Sequence, residues 1–183
     1  ETMRVTGVST ANGFDAWLWT GTTNVQLGFT GGVYTNSAGF QRSVPLLLND
    51  AGQVAGGSMR VTGGAGQDAW IARGGITIRC GLVGPGYESG NGYRSSEPLL
   101  QNAAGAVVGS SQRIVAGLGA GHDLWYFDPL RQQTFAVTPG TATAVRASDG
   151  YAEATPQRLG EDGFLLGSYL EFPGGTGAGV EHP

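Results

Sequence analysis

The sequence predicts an all-β fold of the β-propeller type, built from repeated four-stranded units. Its main support is an Asp-x-Trp triplet that occurs three times, at Asp15, Asp68 and Asp123, with spacings of 53 and 55 residues. A second support is the composition, because 34 of the 183 residues are glycine and turn signals recur roughly every 8–12 residues, as in all-β domains. A third is that no stretch shows a sustained helical period.

Three further markers repeat with nearly the same period, so we infer an internal repeat of 53–58 residues. Each copy has a proline that opens a strand and a glycine in the following turn, and an arginine recurs ahead of each Asp-x-Trp triplet. The markers are Pro45, Pro98 and Pro156; Gly52, Gly105 and Gly163; and Arg4, Arg60 and Arg113.

One period contains four predicted short strands. The first covers residues 43–48 and includes a proline, which suits an edge strand or a strand start. The turn at 49–52 reverses the chain, and Gly52 supplies the positive φ. Residues 53–62 form the second predicted strand, 68–72 the third and 76–82 the fourth. Four antiparallel strands per repeat are typical of a propeller blade.

A β-trefoil also repeats four strands and is the alternative fold, but it closes after three repeats. Residues 168–172 align with 57–61 and begin a fourth repeat, which favours the propeller. The repeats are 1–58 (repeat 1, starting at a second strand), 59–111 (repeat 2), 112–167 (repeat 3) and 168–183 (the truncated start of repeat 4). Since propellers usually have four to eight blades, we expect the missing remainder of the propeller, or other protein subunits, to complete the ring.

The composition excludes several classes of function. A net charge of −4 gives no basic surface that would indicate nucleic-acid binding. The sequence contains no run of 18 apolar residues, the length that a membrane-spanning helix needs. All ten basic residues are arginine, so lysine chemistry is excluded. Cys80 lies in an apolar run and is predicted to be a buried, inert thiol.

Three short elements resemble the HAF-type extracellular repeats of bacteria. Residues 48–56 (LNDAGQVAG) are similar to that family's Ile-Asn-x-x-Gly-Gln-Val-Val-Gly element, 15–19 (DAWLW) to its His-Ala-Phe-Leu-Trp element, and 27–32 (LGFTGG) to its Leu-Gly-x-x-Gly-Gly element. The third repeat departs from the pattern at 160–163 (GEDG), and Asp replaces the family's His in all three copies, which removes a metal-binding imidazole. The resemblance implies a secreted or surface-exposed, propeller-like protein, with the periplasm as an alternative location. It implies no reaction.

The residues that recur in each repeat are interpreted as structural, because a packing device must repeat in every blade whereas a functional site rarely does. Each aspartate is expected to satisfy backbone donors or to pair with an arginine of its own blade, and each tryptophan to pack between blades. Calcium ligation by the carboxylates and sugar stacking on the indoles are the alternatives. The residues are Asp15, Trp17, Asp68, Trp70, Asp123, Trp125, Arg4, Arg60 and Arg113.

Loops that vary between repeats are the better candidates for ligand binding, since recognition residues favour loops on a rigid scaffold. The candidates are Tyr34, Asn36, Tyr87, Asn91, Tyr93 and Arg94, although a plain polar connector is the alternative. We predict no metal site, because the Asn49 turn lacks the ligands of a calcium loop. No catalytic residue and no cofactor are predicted, because His122 lacks a serine elbow and the carboxylates Asp149, Glu161 and Asp162 lie in turns.

The leading hypothesis is a non-catalytic extracellular scaffold or binding module, as a subunit or fragment of a larger surface assembly. Its partners would be other protein subunits, with glycans as a second class. The two alternatives are a carbohydrate-binding, lectin-like propeller with equivalent Tyr, Trp or Asn pockets in each blade, and part of a glycan-active propeller enzyme with a carboxylate cluster at one opening.

Overall fold

The chain folds entirely into β-strands and turns, which confirms the all-β prediction. The structure is a computed structural model that describes residues 5–9, 13–137, 145–175 and 179–183. Within these ranges the only helical segments are single 3₁₀ turns at Gly32–Tyr34 and Pro173–Gly175. The strands are β1 (Val5–Ser9), β2 (Gly13–Trp19), β3 (Asn24–Leu27), β4 (Gln41–Leu48), β5 (Val54–Arg60), β6 (Gly66–Arg73), β7 (Ile76–Arg79), β8 (Arg94–Gln101), β9 (Val107–Val115), β10 (Leu118–Asp128), β11 (Gln133–Val137), β12 (Ala154–Leu159), β13 (Leu165–Glu171) and β14 (Val180–His182).

The strands form four successive antiparallel units, here called the first unit (β1–β3), second unit (β4–β7), third unit (β8–β11) and fourth unit (β12–β14). Within each unit neighbouring strands along the chain pair with each other. The four strands predicted for the period at 43–82 are all present, as β4 to β7. The boundaries drawn after residues 58, 111 and 167 fall inside β5, β9 and β13, because they mark the phase of the sequence period rather than the edges of a unit.

Short parallel pairings connect each unit to the next. Gly66 at the start of β6 pairs with Arg94 at the start of β8, and Gly121 in β10 pairs with Ala152. Both glycines have positive φ values, 128° and 75°. A Cβ at either position would overlap the carbonyl oxygen of the partner residue. Glycine is therefore required at these links, since other residues rarely adopt this conformation and would also clash.

The units pack face to face, and the tryptophans fill the space between them. Trp70 of the second unit is fully buried in a cluster with Ala16 and Leu27 of the first unit. Trp125 of the third unit is fully buried in a cluster with Ala55 and Ile71 of the second. Trp70 and Trp125 therefore pack between units. Trp17, the copy in the first unit, is only partly buried.

The described strands form neither a closed barrel nor a closed ring. Nine strands lie in one continuous hydrogen-bonded path, with β3 and β7 attached to its side, and β12–β14 form a separate sheet. The described strands therefore show neither the closed barrel of the trefoil alternative nor the closed ring of a propeller. The coarser prediction of an all-β fold is met.

Cys80 is buried among these contacts, at 1% exposure. Burial raises the pKa of its thiol to about 12, so the reactive thiolate is absent at neutral pH. The prediction of an inert thiol agrees with this environment.

Removing the glycine opposite a buried tryptophan should destabilise the protein. Gly109 pairs with Trp125, and a Cβ there would overlap both the indole ring and the Glu97 carbonyl oxygen. We expect Gly109→Ala to lower the free energy of unfolding by about 1–3 kcal/mol, the usual cost of overpacking. Gly90→Ala is the matched control, because nothing lies within 4 Å of the added methyl group. Urea unfolding of both variants checks the difference, and equal stability would contradict it.

Candidate functional site

The recurring aspartates lie on the third strand of their units, at the end where one unit meets the next. Asp68 lies in β6 and Asp123 in β10, each opposite a serine of the preceding strand, Ser58 and Ser111. Both aspartates are buried, at 1% and 9% exposure. A buried carboxylate must be paired and hydrogen-bonded to be tolerated, so its partners reveal how the site works.

Asp68 binds groups from three separate segments of the chain. Arg94, at the start of β8 in the next unit, makes a two-point contact with distances of 2.6 Å (Nε–Oδ1) and 2.9 Å (Nη2–Oδ2). The Tyr34 hydroxyl, from the connector before the second unit, donates to Oδ2 at 2.5 Å. Arg60 of the same unit lies 3.5 Å from Oδ2, which is the predicted pair. Arg79 lies 3.9 Å from Oδ2 and also donates to the Tyr34 hydroxyl at 3.0 Å.

Asp123 repeats this arrangement in the third unit. The Tyr87 hydroxyl, from the preceding connector, donates to Oδ2 at 2.6 Å. Arg113 of the same unit donates to Oδ2 at 3.0 Å, and Arg146, from the following connector, at 3.1 Å. We call each set of contacts an aspartate cluster. In both clusters one carboxylate binds its own unit, the connector before it and the segment after it.

The first repeat has a reduced version of the cluster. The Gln41 side-chain amide, at the start of β4, donates to Asp15 Oδ1. Gln41 occupies the position that Arg94 has one repeat later, since both open the first strand of the following unit. Arg4, the predicted structural arginine of this repeat, lies outside the described residues.

These contacts shift the pKa values of the groups. Burial alone would raise the pKa of Asp68, but hydrogen bonds from Arg94 and Tyr34 outweigh it and hold that pKa below its usual value. The pKa of Asp123 is lowered in the same way, because burial raises it but hydrogen bonds from Tyr87 and Arg146 lower it by more. Burial and the hydrogen bond to Asp123 raise the pKa of Tyr87 to about 12. Both carboxylates are therefore ionised at neutral pH.

The six predicted ligand-binding residues all make hydrogen bonds within the protein. Tyr34 and Arg94 meet at Asp68, and Tyr87 binds Asp123. Asn36 accepts backbone N–H bonds within its own loop. Asn91 likewise accepts from Tyr93 N–H. The Tyr93 hydroxyl donates to Gln112 Oε1 at 2.7 Å. These bonds favour the alternative in which the loops are polar connectors, because a ligand would have to displace an internal partner.

The joint use of these tyrosines and arginines was not predicted from the sequence. Each aspartate was expected to pair with an arginine of its own blade, whereas the shortest contacts of Asp68 come from the preceding connector and from the strand that opens the next unit. A signal was present, because Tyr34 and Tyr87 recur with the 53-residue spacing of Asp15 and Asp68.

A cleft with polar lining residues lies between the third and fourth units. Ala152 occupies the position of Arg94 here, since it pairs with Gly121 as Arg94 pairs with Gly66. The cleft is lined by Tyr87, His122, Asp123, Arg146, Glu153 and Tyr169, among others. His122 Nδ1 lies 3.2 Å from Glu153 Oε2, and both side chains are partly exposed. These groups can donate and accept hydrogen bonds with a polar ligand.

The Asn-x-x-Gly turns connect neighbouring units at the opposite end. Asn49 Nδ2 donates to the Asn102 carbonyl oxygen at 3.0 Å, and Asn102 Nδ2 donates to that of Gly160 at 3.0 Å. Gly52 has a φ of 74°, as the turn prediction requires.

The described residues contain no cluster of three or more His, Cys, Asp or Glu side chains that could hold a metal ion.

The turn carboxylates are also engaged in backbone contacts. Asp162 and Asp149 accept N–H bonds from Phe164 and Tyr151, two residues further on, and Glu161 accepts one from Ala103 at 2.9 Å. They hold turns, as predicted.

In the parts of the chain that the structure describes, no helix is both long and apolar enough to cross a membrane.

Comparisons with protein-family models, with curated proteins and with solved structures give no match.

Neutralising the buried Asp68 carboxylate should destabilise the protein at the junction between the second and third units. Asp68→Asn leaves Arg60 and Arg94 without their counter-charge in a buried site, so we expect a loss of about 3–5 kcal/mol in the free energy of unfolding. Asp50→Asn is the control, because Asp50 is exposed in a turn. Urea unfolding at neutral pH measures both. If Asp68→Asn lowers the free energy of unfolding no more than Asp50→Asn does, the prediction is wrong.

The clusters should also make the fold sensitive to acid. The pKa values of Asp68 and Asp123 are lower in the folded than in the unfolded protein. The contribution of these carboxylates to the stability of the fold is therefore complete above the unfolded pKa of about 4 and is lost as the pH falls further, through the folded pKa values. We expect thermal midpoints to fall steeply below about pH 4, and less steeply in Asp68→Asn. Parallel curves for the variant and the wild-type protein would contradict this.

Proposed function

We propose that the chain is a non-catalytic scaffold of propeller-like units that acts as a binding module of the extracellular, HAF-type kind. The observation that carries this proposal is that the recurring charged residues bind one another across unit boundaries. Asp68 and Asp123 each receive a tyrosine and arginines from neighbouring segments. A carboxylate with several internal donors serves cohesion between units rather than proton transfer or ligation.

The propeller-like arrangement is supported by how the units are built. Each complete unit is a four-stranded antiparallel meander, and each tryptophan-bearing face packs on the unit before it. Blades of a propeller have this strand content. An extracellular location rests on the resemblance of residues 48–56, 15–19 and 27–32 to the HAF-type elements.

Carbohydrate binding is the second candidate, and the cleft between the third and fourth units supports it. Tyr87 and Tyr169 line this cleft together with His122 and Glu153. Aromatic rings beside hydrogen-bonding groups are a common way to hold small polar ligands. The lectin hypothesis expected an equivalent pocket in each repeat, whereas this cleft depends on Ala152, which has no arginine side chain to fill the space.

The hydroxyl of Tyr87 separates the two candidates. In a scaffold, Tyr87→Phe should lower the free energy of unfolding by about 1–3 kcal/mol, because Asp123 loses a buried hydrogen bond. Tyr126→Phe is the control, since its hydroxyl makes no hydrogen bond among the described residues. Chemical unfolding and a glycan microarray would be run on the same samples. A defined glycan that binds wild-type protein and is lost in a Tyr87→Phe variant of unchanged stability would overturn the scaffold proposal.

A further inference from the structure

One carboxylate oxygen in the third unit's aspartate cluster has no hydrogen-bond donor among the described residues. Asp123 receives three hydrogen bonds, and all three donors bind its Oδ2. Its Oδ1 receives none from any described residue, although Asp123 is only 9% exposed. Since buried polar atoms are nearly always paired, Oδ1 is the atom of this cluster that can still accept a donor.

The second unit's cluster shows which group binds the equivalent oxygen. Arg94 Nε donates to Asp68 Oδ1 at 2.6 Å, and Arg94 Nη2 donates to Oδ2 at 2.9 Å. Among the described residues Arg94 is the one donor to that Oδ1. A planar guanidinium suits this role, because its N–H groups match both oxygens of a carboxylate at once. Ala152 stands at the position of Arg94 in the next junction, and its methyl group cannot donate.

The cleft between the third and fourth units gives access to this carboxylate. Asp123, Ala152 and Glu153 all line it, and its cavity volume is about 30 Å³. A cavity of this size is large enough for a small polar group. The replacement of arginine by alanine therefore leaves both an unpaired acceptor and room for a donor at the same place.

The charges around the cleft favour a cationic group. In the second cluster three arginines surround Asp68 and its neighbouring carboxylate Glu88. In the third cluster only two arginines bind Asp123, and Glu153 is the second carboxylate that lines the cleft. Glu153 binds His122 and Tyr151 through Oε2, and no described residue donates to its Oε1. One more guanidinium would give the third cluster the positive charge that the second already has.

We propose that this cleft binds the guanidinium group of a ligand, in the place that the Arg94 side chain fills at the preceding junction. The guanidinium donates to Asp123 Oδ1, and Glu153 adds a second negative charge beside it. The proposal rests on the proposed function in treating the chain as a binding module, and it gives the cleft a ligand chemistry other than carbohydrate. The group belongs either to a free guanidino compound or to an arginine side chain of a partner protein.

Three matched ligands test the chemistry by isothermal titration calorimetry. Acetyl-arginine amide carries the guanidinium, acetyl-citrulline amide replaces it with a neutral urea group, and acetyl-lysine amide keeps the charge without the planar fork. We expect the arginine compound to bind one site with a dissociation constant of about 1 mM or lower. The other two should bind at least about tenfold more weakly, the effect of losing one hydrogen bond to a charged group.

Two variants test the location of the site. Ala152→Arg supplies an internal guanidinium and should weaken binding of acetyl-arginine amide at least about tenfold. Ala104→Arg is the control, because Ala104 is exposed in a turn at the opposite end of the units, and it should bind as the wild-type protein does. If Ala152→Arg fails to fold, Ala152→Gln replaces it with the same expected loss, since Gln41 donates to Asp15 Oδ1 from this position in the first junction.

Two results would overturn the proposal. One is a wild-type protein that binds the arginine compound no better than the citrulline compound. The other is a folded Ala152→Arg variant, shown by circular dichroism, that binds the arginine compound as tightly as Ala104→Arg does.

The source of the guanidinium is distinguished by two further ligands. Tighter binding of agmatine than of an acetyl-Gly-Arg-Gly-amide peptide would support a free guanidino compound, and the reverse order would support a partner's arginine. These titrations are independent of the glycan and stability experiment on Tyr87. Absence of guanidinium binding would leave the scaffold proposal standing, whereas a specific glycan that needs Tyr87 would overturn the scaffold without changing the comparison of arginine with citrulline.

Discussion

A buried carboxylate holds successive segments of this chain together, and the arrangement of the units depends on it. The Asp68 side chain is 1% exposed, and an unpaired charge there would cost several kcal/mol. Its partners come from its own unit, from the connector before it and from the strand that opens the next unit. All three segments must be in place before the charge is compensated, so the contact acts on the order and register of the units. A surface ion pair could not do this, because it contributes little.

Much of the fold could be predicted because its signals are local and repeated. A turn glycine with positive φ, an apolar strand beside it and an Asp-x-Trp triplet lie within one period, and the predicted strands correspond to β4 to β7. Burial of Trp70 and Trp125 also followed from the period, since a four-stranded unit cannot bury both faces alone. Closure of the units into a ring is not encoded by the periodicity, and the described strands form no closed ring.

The candidate site was less predictable because its key contacts link one unit to the connector before it and to the next unit. Tyr34 and Arg94 lie 34 and 26 residues from Asp68 in sequence. The position of Arg94 is glutamine in one other copy, Gln41, and alanine in the next, Ala152, so the repeat itself gives no indication of its role. The tyrosines do recur, but a tyrosine in a polar loop fits ligand binding as well as an internal hydrogen bond. Only the fold places its hydroxyl group on the next unit's carboxylate.

The junction between the third and fourth units shows the consequence of losing one partner of the cluster. Ala152 has no guanidinium to offer, and Arg146 reaches Asp123 from the connector instead. The parallel link at this junction is a single bridge, and the fourth unit forms a sheet of its own. His122 in β10 and Glu153, which directly precedes β12, bind each other across this junction at the rim of the cleft. Proteins tend to depart from their own structural rules where they function. Under the proposed scaffold function, this junction, where Ala152 takes the place of Arg94, is therefore where a polar ligand would meet the groups that line the cleft.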